Sequence, residues 1–247
     1  MKELFLISGL PRAGSTLLAT ILNQNEEFHA TIAGPLARMV RAVVSDTQSD
    51  GSKNEQIIRT IVDTYCDEDK VYFDQNRGWN LLLPVMKQLY PNTKVVVCVR
   101  NMADICNSFE VLVRKNMLQA NYMFAPEENV NVYTRTEALM MSSKTVGFAY
   151  ESLKQAYFSH EKNMLHIIEY NDLCRNPEKT IKKLYQFLGK DYYNHDYENV
   201  SASYKEFDDE IRLNGLHTTK KVVKVYDNPS VLPPDLKAKF KNMEFWR

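Results

Sequence analysis

Gly9-Leu-Pro-Arg-Ala-Gly14-Ser15-Thr16 has the spacing G-x-x-x-x-G-S-T, a phosphate-binding loop in which Ser15 stands where lysine is usual. The loop lies between an apolar run, Leu4 to Ile7, and a segment with Leu17, Leu18, Ile21 and Leu22 at helical spacing. In that setting the N–H groups of Ala13, Gly14, Ser15 and Thr16 point into the loop, and the helix N-terminus adds its positive dipole end. Both hydroxyls add donors. Nucleoside-triphosphate hydrolases and kinases use the lysine to bridge two phosphates and the next hydroxyl to hold magnesium. Here the cation lies three residues upstream, at Arg12, which fits a shorter anion gripped without metal.

The elements that must carry this loop alternate. Leu4–Ile7, Val71–Asp74, Lys94–Val99 and Met164–Glu169 read as strands, and the unbroken β-branched run of the third implies burial on both faces. Helical patterns follow each: Trp79, Leu82, Leu83, Met86 and Leu89 after the second, Met102, Ile105, Phe109 and Leu112 after the third, and Pro177 to Leu188, capped by Gly189, after the fourth. Such alternation predicts an α/β fold, a parallel sheet flanked by helices on both faces, with ligands beyond the carboxyl ends of the strands. Residues 1–247 read as one domain, with helical inserts at about 33–66 and 114–160 that are expected to supply an acceptor pocket.

Composition limits the function classes. The chain has 247 residues, and its 31 Lys and Arg are balanced by 31 Asp and Glu, which argues against bulk nucleic-acid binding. No apolar run is long enough to span a membrane. Met1 and Lys2 are followed by too short an apolar stretch for a secretory leader. Cys66, Cys98, Cys106 and Cys174 lack the spacing of a zinc site or disulfide framework. A cytoplasmic protein is expected, and both monomer and oligomer are compatible with the sequence.

Leu10-Pro-Arg-Ala-Gly-Ser-Thr-Leu17 resembles the 5′-phosphosulfate loop of sulfotransferases that use 3′-phosphoadenosine 5′-phosphosulfate (PAPS), especially the P-R-S-G-T-T form of tyrosylprotein and related bacterial enzymes. The resemblance implies a fold like that of P-loop nucleoside triphosphate hydrolases, and binding of the nucleotide by Arg12, Ala13, Gly14, Ser15, Thr16 and Leu17. Family members end a central strand with Arg and place Ser eight residues later, both on the 3′-phosphate; Arg100 and Ser108 match. Glu169-Tyr170-Asn-Asp-Leu with Phe187-Leu-Gly189 resembles the family's Y-E-D-L…F-L-G stretch, which places Tyr170 near the nucleotide. Gly215-Leu-His-Thr-Thr-Lys-Lys-Val-Val-Lys224 resembles the basic loop that closes over it, implicating Thr218, Lys220 and Lys221. A solvated charged face reads equally well there.

The chemistry so implied is transfer of a sulfonate from PAPS to a hydroxyl or amine, releasing 3′-phosphoadenosine 5′-phosphate (PAP), without metal. Arg12 is expected to stabilise charge on the leaving oxygen, and Arg77, near where the family places a catalytic His or sulfonate-binding Lys, to stabilise the sulfonate. The base is missing from both family positions: Thr31-Ile-Ala-Gly-Pro35 carries no acid, and Asn76-Arg77-Gly78 stands where cytosolic enzymes have His. His29 and Asp74 are the candidates. Acceptors of small-molecule, carbohydrate, lipid or peptide type are all compatible, with no nucleic acid and no membrane span. A small-molecule kinase with a degenerate loop, or a nucleotide-binding module without catalysis, are the competing readings.

Overall fold

A computed structural model describes residues 3–48, 50–66, 69–118, 121–202, 204–227 and 229–247, the side chains of 206 and 207 excepted. Met1 and Lys2, on which the expectation about a leader rests, lie outside the described residues. The first half contains β1 (Leu4–Gly9), α1 (Ser15–Leu22), β2 (Phe28–Ala30), α2 (Leu36–Val44), α3 (Gly51–Tyr65), β3 (Val71–Gln75) and α4 (Leu83–Leu89). It continues through β4 (Val95–Val99), α5 (Met102–Lys115), α6 (Val132–Met140), α7 (Thr145–Tyr157) and β5 (Leu165–Glu169). The chain ends with α8 (Tyr170–Arg175), α9 (Pro177–Leu188), α10 (Lys205–Glu210) and α11 (Pro234–Lys239).

The five strands form one parallel sheet in the order β2-β3-β1-β4-β5. Every residue of β1 and β4 is buried, as expected of central strands covered on both faces. The sequence pattern does not reveal the short edge strand β2: its three residues carry too little pattern, and His29, the candidate base, is the exposed middle position. Trp79 falls in a 3₁₀ turn, Arg77–Leu81, ahead of α4, because Asn76 accepts from the Gly78 amide at 2.9 Å and Pro84 restarts the helix.

Register decides where the chemistry lies. Ile7 pairs with Gln75, Gly9 with Cys98, and Val99 with Glu169, so β1, β3, β4 and β5 end together. The loop after β1, Arg77, Arg100 and Tyr170 therefore leave the sheet at one edge. The chain moves from β3, on one side of β1, to β4 on the other, which opens a crevice at that edge. Gly9 makes this packing feasible: its φ is 113°, and a Cβ there would run into the Cys98 backbone.

Candidate active site

The loop is tightly wound. Arg12 adopts a left-handed φ of 58° and Gly14 one of 90°, and α1 begins at Ser15. A left-handed non-glycine residue costs on the order of 1–3 kcal/mol, so the surroundings must hold Arg12 in place. They do so from β4: Arg100 Nη1 donates to the Arg12 carbonyl at 3.2 Å. A Cβ at Gly14 would come within 2.8 Å of the Tyr170 ring, which seats the loop against α8.

The side chains then converge. Arg12 Nε donates to Ser108 Oγ at 3.0 Å, and its Nη1 donates to the Leu216 carbonyl. Arg100 lies over the Tyr170 ring, with its guanidinium carbon 4.4 Å from the centroid. The two anion sites read separately in the sequence are thus one continuous surface, linked through Arg12 and Ser108. Burial is the main cause lowering both Arg12 and Arg77 to about 10; Arg100 adds to the effect on Arg12, and Arg12 to that on Arg77. Among the described residues no carboxylate forms a salt bridge with Arg12 or Arg77.

These groups line a cavity of about 660 Å³. Arg12, Gly14, Ser15, Thr16, Leu17, Arg77, Arg100, Ser108, Tyr170, Thr218 and Lys220 all reach it. Lys115 and Lys224 join them, and Asp104 is the one carboxylate among the described lining residues. Ala13 is fully buried behind the loop. Lys221 does not line the cavity, and its carbonyl accepts from the Val200 amide at 2.8 Å. His29 does not line it either, and stacks on Tyr72 with ring centroids 4.9 Å apart. Asp74 is buried beneath the edge, where its carboxylate accepts from the Trp79 indole at 2.7 Å, and burial raises it to about 6. Neither candidate base faces the cavity.

The far wall is built by residues between Asn214 and Val231 rather than by the inserts; among the described residues, 33–66 contribute nothing to the lining, and 114–160 only Lys115. Val231 N–H donates to Asn107 Oδ1 at 2.8 Å, tying this wall to α5. His217 and Asp208 were missed in the sequence. His217 lines the cavity, and its Nδ1 lies 2.7 Å from Oδ1 of the buried Asp208. His217 stands inside the Gly215–Lys224 stretch that drew notice for its lysines, whereas Asp208, within Asp-Asp-Glu, reads as a solvated acid. Among the described residues, no group of three or more His, Cys, Asp and Glu could hold a metal, and no helix is long and apolar enough to cross a membrane.

A parallel sheet, a glycine-containing loop opening a helix, and cations gathered at the carboxyl edge define a P-loop-like α/β protein built to hold a phosphorylated ligand. Residues 2–225 match the sulfotransferase domain family. Solved structures of similar fold include a sulfotransferase from Alicyclobacillus acidocaldarius, with 12% identity, 79% of this chain and 85% of that chain covered, and a TM-score of 0.54. Retinol dehydratase, in complex with androsterone and the inactive cofactor PAP, shows 12% identity, coverage of 98% and 80%, and a TM-score of 0.56. The sulfotransferase domain of the curacin biosynthetic pathway shows 17% identity, coverage of 98% and 91%, and a TM-score of 0.50. Comparison with curated protein sequences gives no match. At these identities the structures establish the fold, and the family match establishes membership: the chain belongs to the sulfotransferases, the PAPS-dependent enzymes that transfer a sulfonate group.

Proposed function

We propose that the chain is a single sulfotransferase domain that carries the sulfonate of PAPS to an acceptor hydroxyl or amine in this cavity and releases PAP. The observation that carries the reading is the convergence of Arg12, Arg77 and Arg100 on one cavity in which Asp104 is the single carboxylate among the described lining residues. Buried, mutually repelling guanidinium groups are relieved by an anionic ligand. The residues fit such a ligand, because Arg100 Nε is buried and has no hydrogen-bond partner among the described residues; Asp104 Oδ2 is 3.9 Å away. The structure of retinol dehydratase with PAP supports the choice of nucleotide.

PAPS, when bound, supplies a sulfonate already activated for displacement by its link to phosphate. The loop amides of Ala13 to Thr16 and the hydroxyls of Ser15 and Thr16 hold the 5′ end. Arg12 stabilises charge developing on the leaving oxygen, and Arg77 orients the sulfonate. Arg100 and Ser108 bind the 3′-phosphate, and Tyr170 supports Arg100 from below. Thr218 and Lys220 close the wall, while Lys221 adds positive charge from outside it. No metal is required of this set.

The acceptor is a small molecule. The buried free thiols of Cys98, Cys106 and Cys174 support a reducing, cytoplasmic setting. The test is acceptor-dependent release of PAP from PAPS with chelator present, across alcohols, phenols and amines. Release is expected, with Arg12→Ala lowering turnover more than nucleotide affinity. Tight PAP binding without release for any acceptor would support a non-catalytic module instead.

A further inference from the structure

We propose that His217 is the general base of this site, oriented by Asp208, and that the acceptor it serves is a hydroxyl. This rests on the sulfotransfer reading above and supplies the group that neither His29 nor Asp74 provides. Asp208 is 1% exposed and lies in α10, outside the cavity lining. It accepts from the amides of Gly215 at 3.0 Å and His217 at 3.1 Å, and contacts His217 Nδ1 at 2.7 Å. A carboxylate can only accept, so Nδ1 carries the hydrogen and the basic lone pair belongs to Nε2. The two backbone bonds fix the His217 main chain against the same carboxylate that fixes its ring. The imidazole is therefore held from both ends of the residue.

The charged groups among the described residues that act on His217 include Asp208 from α10, Arg12 from the loop after β1 and Arg77 from the 3₁₀ turn. Burial lowers its affinity for a proton, Asp208 opposes this, and the two arginines add to it. His217 is therefore neutral at neutral pH and able to accept a proton. The same two arginines are the proposed sulfonate-handling groups, so the base and the reacting sulfur share one end of the cavity.

In the transfer step the acceptor oxygen forms a bond to sulfur as the bond from sulfur to the phosphate oxygen breaks. The electron pair of the broken bond stays on the phosphate of PAP, and the acceptor proton passes to Nε2. Asp208 stabilises the imidazolium as it forms. Alcohols and phenols need this proton removed during attack, which is why the acceptor is assigned to that class.

The test compares His217→Gln and Asp208→Asn with the wild type. General-base loss is expected to lower kcat/KM for hydroxyl acceptors by roughly 10²–10⁴-fold. The PAP dissociation constant is expected to stay within about twofold, at the level where Nε2 contributes no nucleotide contact. The acid limb of the wild-type pH profile should match the His217 titration followed by NMR in the PAP complex. In Asp208→Asn that titration should move to lower pH, since the carboxylate raises it. Unchanged turnover in His217→Gln, or equal loss of PAP binding and turnover, would overturn the proposal. A His217 resonance that titrates identically with and without the Asp208 carboxylate would do so as well. An inactive wild-type protein would instead overturn the sulfotransfer reading itself, and this proposal with it.

Discussion

Replacing Arg100 by alanine tests the assignment of the 3′-phosphate. In the structure its Nη1 holds the Arg12 carbonyl at 3.2 Å, its guanidinium lies over Tyr170, and its buried Nε has no hydrogen-bond partner among the described residues. A hydrogen bond to a charged group contributes about 1.5–3 kcal/mol, so losing one such contact weakens PAP binding by roughly 10- to 150-fold. The neighbouring Asp104 gives an internal control. It is half exposed and 3.9 Å away, so Asp104→Asn should alter affinity by less than about 1 kcal/mol, toward tighter binding. Calorimetric titration with PAP and with AMP separates the phosphates, because AMP lacks the group assigned to Arg100. Arg100→Ala should weaken PAP strongly and AMP only through the shared loop contact. Equal losses for the two ligands would refute the assignment. The unliganded variant should melt near the wild type, because removing Arg100 also relieves its repulsion of Arg12.

Two further outcomes follow from particular contacts. Gly14→Ala places a Cβ at φ 90° and 2.8 Å from Tyr170; it should destabilise the fold by about 2 kcal/mol and abolish stabilisation by PAP, as read by melting with and without ligand. His195 is buried with Nε2 3.0 Å from the Tyr185 hydroxyl, and desolvation lowers it to about 4. Its folded value lies below its unfolded one, so the associated stability is present above pH ~6.5 and lost as pH falls toward ~4, by about 3 kcal/mol in all. Urea unfolding across that range should show the acid-side loss, and His195→Gln should flatten it; an imidazole titrating near its ordinary value would contradict this.

The sheet was legible because its central strands are unbroken apolar runs, and the anion loop because glycine, hydroxyl and strand-to-helix context coincide in one stretch. Arg100 and Ser108 were legible through spacing after the strongest strand. The far wall was not. Residues 213–227 and 229–231 are irregular, and no periodicity announces that His217 faces a cavity. Asp208 is held by two backbone amides and an imidazole from a loop several residues onward, a pairing that exists only after folding. His29 illustrates the opposite error: it is chemically able, but β2 carries it to the exposed edge of the sheet. The balanced composition likewise conceals a local imbalance, since Asp104 is the one acid among the described residues that line the cavity.

The most direct measurement is a thermal-shift comparison of PAP with ATP, each with magnesium and with chelator. At a hundredfold excess over its dissociation constant a ligand stabilises by about 2.7 kcal/mol, which for a chain of this size raises Tm by roughly 5–10 °C. The cationic cavity predicts that shift for PAP, undiminished by chelator, and a smaller one for ATP. A shift confined to ATP with magnesium, with none for PAP, would contradict the account.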